Sequence, residues 1–116
     1  MAELAVEFGL YATRQQSWRV ADLDLIARAL ARLRADPPAR LLSRPVSVTD
    51  LSPGNDVLIL RFDGGRVVVR PSGTEPKCKA YLEVVVSDAR DLAAAEATAK
   101  TWLDELAGAV TEVLNL

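Results

Sequence analysis

Between residues 70 and 81 the chain reads Arg-Pro-Ser-Gly-Thr-Glu-Pro-Lys-Cys-Lys-Ala-Tyr. A guanidinium, two short hydroxyls, a glycine and two ammonium groups thus fall close together, pinned by Pro71 and Pro76. That is the chemistry of anion binding, and of phosphate above all. An arginine fork gives paired, charge-assisted hydrogen bonds to anionic oxygens. Ser72 and Thr74 add hydroxyl donors, and Gly73 lets backbone amides approach an anion closely. The prolines fix φ at both shoulders and lower the entropy the loop must lose on binding. The same residues also read as a connecting turn with a solvated basic rim, since Pro-Ser-Gly is common turn chemistry.

The elements that position this string are legible from hydrophobic periodicity. Leu4, Ala5 and Phe8 lie at helical spacing with Gly9 placed to end the turn, predicting a helix over residues 1–9. Its uncapped start predicts the tail of something longer. Tyr11, Thr13, Trp18 and Val20 favour an extended segment over residues 10–20. Asp22 then caps a helix whose apolar positions are Leu23, Ile26, Ala27, Leu30 and Leu33, stopped at Asp36-Pro37-Pro38. Residues 44–50 form a short half-buried strand through Val46 and Val48, followed by a turn cluster at Ser52-Pro53-Gly54-Asn55. Residues 57–62 and 66–70 flank Asp63-Gly64-Gly65 as a hairpin. A strand from Lys77 to Val86 puts Cys78, Ala80, Leu82, Val84 and Val86 on one face, and Lys77, Lys79, Tyr81, Glu83 and Val85 on the other. Ser87 or Asp88 caps a last helix reaching about Leu114, with Leu92, Ala95, Ala99, Trp102, Leu106, Val110 and Val113 as its inner stripe. The order strand, helix, four strands, helix predicts an α+β sandwich: an antiparallel sheet with two helices on one face.

Composition excludes several classes. The chain of 116 residues suits one small domain with a real core, half its residues being hydrophobic. A net charge of −2 and the lack of an aromatic-basic stripe argue against a nucleic-acid partner. With no histidine, Ser-His-Asp and Cys-His nucleophilic machinery is impossible and the commonest zinc ligand is missing. The lone Cys78 cannot form an internal disulfide and, on the core side of its strand, reads as a small buried apolar residue. No apolar run of transmembrane length and no signal-peptide layout are present, so the reading is a cytoplasmic chain with no membrane partner.

The string closely resembles the C-terminal phosphate-binding loop of the α-D-phosphohexomutases, the phosphoglucomutases and phosphomannomutases. Their pattern Arg-x-Ser-Gly-Thr-Glu-Pro-Lys-x-Lys-x-Tyr is matched by Arg70, Ser72, Gly73, Thr74, Glu75, Pro76, Lys77, Lys79 and Tyr81. The hairpin from Asn55 through Val69 is similar to the strands that precede that loop. Residues 9–20 look like the segment leaving the third domain of the family.

The resemblance implies a domain 4 of the four-domain parent, with a TATA-binding-protein-like β-α-β4-α fold over residues 20–116 and a linker or first strand in residues 1–19. It implies Arg70, Ser72, Gly73, Thr74 and Lys79 as ligands of the substrate phosphate, with Glu75 in a structural role. The partners it implies are a hexose 1- or 6-phosphate and the remaining three domains of the parent, an isomerase of carbohydrate metabolism that moves a phosphoryl group through a phosphoserine with Mg2+ held elsewhere. The family's serine loop of the Thr-Ala-Ser-His-Asn-Pro type needs a histidine this chain lacks. The Asp-x-Asp-x-Asp-Arg metal loop and the Gly-Glu-x-Ser-Gly sugar loop are missing too, and Asp22 and Asp24 are better explained as helix-capping residues. No catalytic and no metal-binding residue is therefore expected in this chain, which is predicted to be inactive alone. The alternative is a freestanding sugar-phosphate-binding module without catalysis.

Overall fold

The structure, a computed structural model, describes residues 3–6 (backbone), 9–51, 56–72 and 75–115. Among these described residues, eight strands and two helices follow in the order β1 Glu3–Val6, β2 Gly9–Arg19, α1 Leu23–Ala35, β3 Arg40–Leu41, β4 Arg44–Pro45, β5 Ser47–Asp50, β6 Leu58–Phe62, β7 Gly65–Pro71, β8 Lys77–Val86 and α2 Leu92–Leu114. Six strands make one antiparallel sheet in the order β1-β2-β8-β7-β6-β5, while β3 and β4 form a separate small ladder. The main path β2-α1-β5-β6-β7-β8-α2 is the expected β-α-β4-α plan, with α2 laid across β8 and β2 and touching α1.

Strict alternation in β8 explains how the layers form. Cys78, Ala80, Leu82 and Val84 are fully buried under the helices, and Lys77, Lys79, Tyr81, Glu83 and Val85 face the open side. Leu10 and Ala12 of β2, Val67 and Val69 of β7, and Leu58, Leu60 and Phe62 of β6 extend the same buried face. Against it α1 lays Ile26, Ala29, Leu30 and Leu33, and α2 lays Ala95, Ala99, Leu103, Leu106, Val110 and Leu114. Each fully buried leucine or valine is worth about 1.5–3 kcal/mol relative to exposure. Asp22 caps α1 by accepting from the Asp24 N–H at 3.0 Å, and Asp36 ends it through an N–H bond to the Arg32 carbonyl.

Several expectations are corrected. Residues 3–6 are a strand, not a helix: Glu3 lies opposite Ala12 and Val6 opposite Gly9. Three apolar residues in so short a stretch fit either period, and the free edge of β2 offers backbone partners that an isolated turn of helix lacks. The strand expected over residues 44–50 divides: β4 turns back on β3, and β5 is exposed throughout. The last helix begins later than expected, with Asp91 as its cap accepting from Ala94 N–H at 3.2 Å. Asp88 cannot serve, because it accepts from the backbone N–H and the guanidinium of Arg90, which hold its carboxyl down at about 2. The inner stripe of α2 uses Leu103 and Leu114, while Trp102 and Val113 flank it and Leu92 is exposed; in α1, Ala29 replaces Ala27 and Leu23 is exposed. The Ser52–Asn55 turn lies outside the described residues.

Gly65 and Gly108 make a controlled pair. A Cβ on Gly65 would meet the Glu83 carbonyl oxygen at 2.5 Å and the Phe62 ring at 2.6 Å, whereas one on Gly108 would meet nothing within 4 Å. Gly65→Ala is expected to destabilise the chain by about 1–3 kcal/mol, and Gly108→Ala in mid-helix to stabilise it by about 0.5–1 kcal/mol. Urea denaturation midpoints check both, and a Gly65→Ala midpoint at or above the native one would contradict the packing described.

Candidate functional site

The end of the sheet that carries the β7–β8 connection gathers positive charge. Arg70 on β7 is directly opposite Lys79 on β8, and Lys79 is directly opposite Ser17 on β2. One step further, Lys77 is opposite Arg19. Residues opposite each other in a ladder share a face, with Cβ atoms about 4.5–5.5 Å apart, so Arg19, Arg70, Lys77 and Lys79 crowd one end of the open face. Like charges placed this way repel unless an anion lies among them.

The connection itself is tied down by its backbone. Ser72 N–H donates to the Lys77 carbonyl at 2.8 Å, and Lys77 N–H donates to the Glu75 carbonyl at 2.7 Å. Val20 N–H donates to the Pro76 carbonyl at 2.8 Å, stitching the loop to the exit of β2. With its N–H spent inside the loop, Ser72 offers an anion only its hydroxyl. The Glu75 carboxylate accepts from Arg19 Nη2 at 2.8 Å; that hydrogen bond, followed by the charge of Lys77, holds its carboxyl below the usual range. Glu75 thus has a partner within the fold, Arg19. Gly73 and Thr74 lie outside the described residues.

The chain's other cations set a standard for comparison. Arg14, Arg19, Arg28, Arg34, Arg66, Arg90 and Lys100 each pair with a carboxylate. Arg32, Arg40 and Arg44 donate to carbonyls, and Arg61 to the Thr49 hydroxyl. Among the lysines and arginines of the described residues, only Arg70, Lys77 and Lys79 have side chains that make no hydrogen bond or ion pair. Further along the open face, Glu83 answers Arg66: burial pushes its carboxyl up, but hydrogen bonds from Arg66 and Tyr11 outweigh this and leave it low. In mid-sheet Arg66 is therefore answered by a carboxylate, whereas Arg70, Lys77 and Lys79 at the loop are not.

Of the residues implied as phosphate ligands, the structure brings Arg70 and Lys79 side by side and sets Ser72 at the exit of the same strand as Arg70. Arg19 went unnoticed in the sequence, because the pairing of β2 with β8 that delivers it depends on a contact distant in the chain. A basic residue closing an extended segment was the only signal available. Among the described residues, no three of His, Cys, Asp and Glu come together to hold a metal, Asp22 being spent as a cap and Asp24 on Arg28. No described helix is long and apolar enough to cross a membrane.

Beneath the lysines, Cys78 is fully buried, and burial together with the charge of Asp56 pushes its thiol up to about 11. The native thiol is expected to resist a thiol-reactive probe at pH 8 and to react only on unfolding. Because the unfolded thiol ionises first while the buried one stays neutral, this difference lowers stability by about 2–3 kcal/mol as the pH rises from about 9 to 11. Cys78→Ala should flatten that part of the stability–pH curve, and an unchanged slope would count against the burial.

Comparison with known proteins supplies a family for this geometry. The family model described as phosphoglucomutase/phosphomannomutase, C-terminal domain, matches residues 18–101. A probable phosphomannomutase of Haemophilus influenzae is 40% identical over 96 residues, covering 77% of this chain and 19% of that protein. A phosphoglucomutase of Staphylococcus aureus is 45% identical over 42 residues, covering 36% of this chain and 8% of that protein. The chain thus spans a fifth or less of the length of these relatives.

Proposed function

The chain belongs to the phosphoglucomutase/phosphomannomutase family, as a C-terminal domain of that family, and from this premise we propose that it grips the phosphate of a sugar phosphate. The observation that carries the reading is the set of free cations at the β7–β8 loop, Arg70, Lys77 and Lys79, in a fold whose other basic residues are all partnered. A phosphate dianion placed there relieves the repulsion between opposed Arg70 and Lys79 and gains charge-assisted hydrogen bonds from both. Ser72 adds a hydroxyl, and Gly73 and Thr74 complete the proposed ligand set.

The role is positioning and electrostatic stabilisation, not bond breaking. In the parent enzyme the substrate is a hexose 1- or 6-phosphate and the transferred group passes through a phosphoserine of another domain. A loop that reads a phosphate, without reading any particular hydroxyl, can hold either end of the sugar while the other end reacts. Mg2+ belongs to the parent's remaining domains; the acids described in this chain do not fit it, and no part of the role proposed here runs through it.

A single phosphate held by a handful of such bonds gives roughly millimolar affinity, about −4 kcal/mol. Titration with glucose 1-phosphate is expected to shift the amide resonances of Ser72, Gly73 and Thr74, with Arg70→Ala removing the response. Shifts confined to another surface would refute the site. The purified chain is further expected to give no interconversion of glucose 1- and 6-phosphate at any magnesium concentration, and measurable turnover would show that the absent serine and metal loops are dispensable.

A further inference from the structure

Glu75 is the sole carboxylate between Arg70 and Lys79, and a carboxylate in an anion-binding loop works against it. Left to itself it would find the nearest free cations, Lys77 and Lys79, whose charges already act on it. Pairing with them would neutralise the groups a phosphate needs. The structure shows another arrangement. Arg19, at the end of β2, draws the carboxylate toward itself at 2.8 Å. Since β8 lies between β2 and β7, this holds Glu75 on the side of the loop away from Arg70. The bond from Val20 N–H to the Pro76 carbonyl fixes the same edge.

We propose that Arg19 is a positioning residue for the loop: by sequestering Glu75 it leaves Arg70, Lys77 and Lys79 without a hydrogen bond or ion pair of their own and open to a phosphate dianion. The inference rests on the phosphate reading given above. Fold stability does not explain the pair. With side chains 64% and 45% exposed, it is of the kind that adds little to folding, so variants at either position are expected to stay folded. Arg19 acts through Glu75, which separates this role from direct ligation. A ligand cannot be replaced by removing a different residue, whereas a sequestering group becomes unnecessary once the charge it sequesters is gone.

The test is a titration of the 116-residue chain with inorganic phosphate at low salt, followed by amide shifts at Ser72 and Lys79. Arg19→Gln is expected to weaken binding about three- to tenfold, the effect of one misplaced charge near an anion. Glu75→Gln alone should leave affinity equal or tighter. The double variant Arg19→Gln/Glu75→Gln should return to within about twofold of the native value. A double variant as weak as Arg19→Gln would make Arg19 a direct ligand and overturn the proposal. An Arg19→Gln chain that binds normally, or a Glu75→Gln chain that binds worse, would overturn it as well. Arg70→Ala, run in parallel, isolates the underlying reading: if it binds phosphate normally, the loop assignment itself fails, whatever the Arg19 variants do.

Discussion

The structure depends on the alternation of β8. This strand lies between β2 and β7, so its side chains decide what both neighbours must bury and what they must leave out. Its inner residues, from Cys78 to Val86, are small or branched and nearly free of solvent, and helix α2 closes over them. A shift of one residue in register would put Lys77, Lys79 and Glu83 under the helices, at a cost in buried charge that no pairing available there could offset. The positions that make the core are thus bound to the positions that make the site. Lys77 and Lys79 face outward beside Arg70 because Cys78 and Ala80 face inward.

That coupling explains how a small domain can keep several like charges together. Ladder pairs of equal sign are unfavourable, and Arg19 opposite Lys77 and Arg70 opposite Lys79 are two in succession. Their cost is borne by the strand pairing, which runs from Leu10 opposite Val86 to Arg19 opposite Lys77 and is anchored by apolar burial along its other face. Mid-sheet, where Arg61 stands opposite Arg66, the Glu83 carboxylate answers Arg66 from within the sheet. The contrast between the two regions sets the proposed binding surface apart from an ordinary charged one.

Much of this was legible in the sequence where one local rule sufficed. Strict alternation from Lys77 to Val86, the Asp22 cap with its period of 3.6, and the Asp63-Gly64 turn, where Gly64 takes φ +89, each declare themselves within a few residues. What escaped detection depended on distant partners or on disguised turns. The β3–β4 ladder turns through Leu42 and Ser43, both at positive φ without the usual glycine or asparagine; Arg40 bonding the Ser43 carbonyl and Leu42 packing on the core hold it there. Strand β1 exists because β2 has a free edge. At the site, Arg70, Ser72 and Lys79 were visible as a motif. The partner that disciplines Glu75 was not, because Arg19 reaches it only after β2 has paired with β8.

The loop's free cations and its lone carboxylate therefore pose a single electrostatic problem, solved from outside the loop. A neutral residue in place of Glu75 would serve phosphate binding equally well, and Arg19 is called for only because the carboxylate is there. In this structure the carboxylate also gives Arg19 something to hold, and with the Val20–Pro76 backbone bond it ties the loop's exit to β2. The motif carries the proposed ligands, and in this proposal the far strand sets their charge and place. A loop of identical sequence grafted where no arginine stood opposite the first lysine would keep the donors but lose the separation of charge that makes them available. The proposed anion site thus belongs to the sheet end as a whole, and the string between Arg70 and Lys79 is the part of it that a sequence can display.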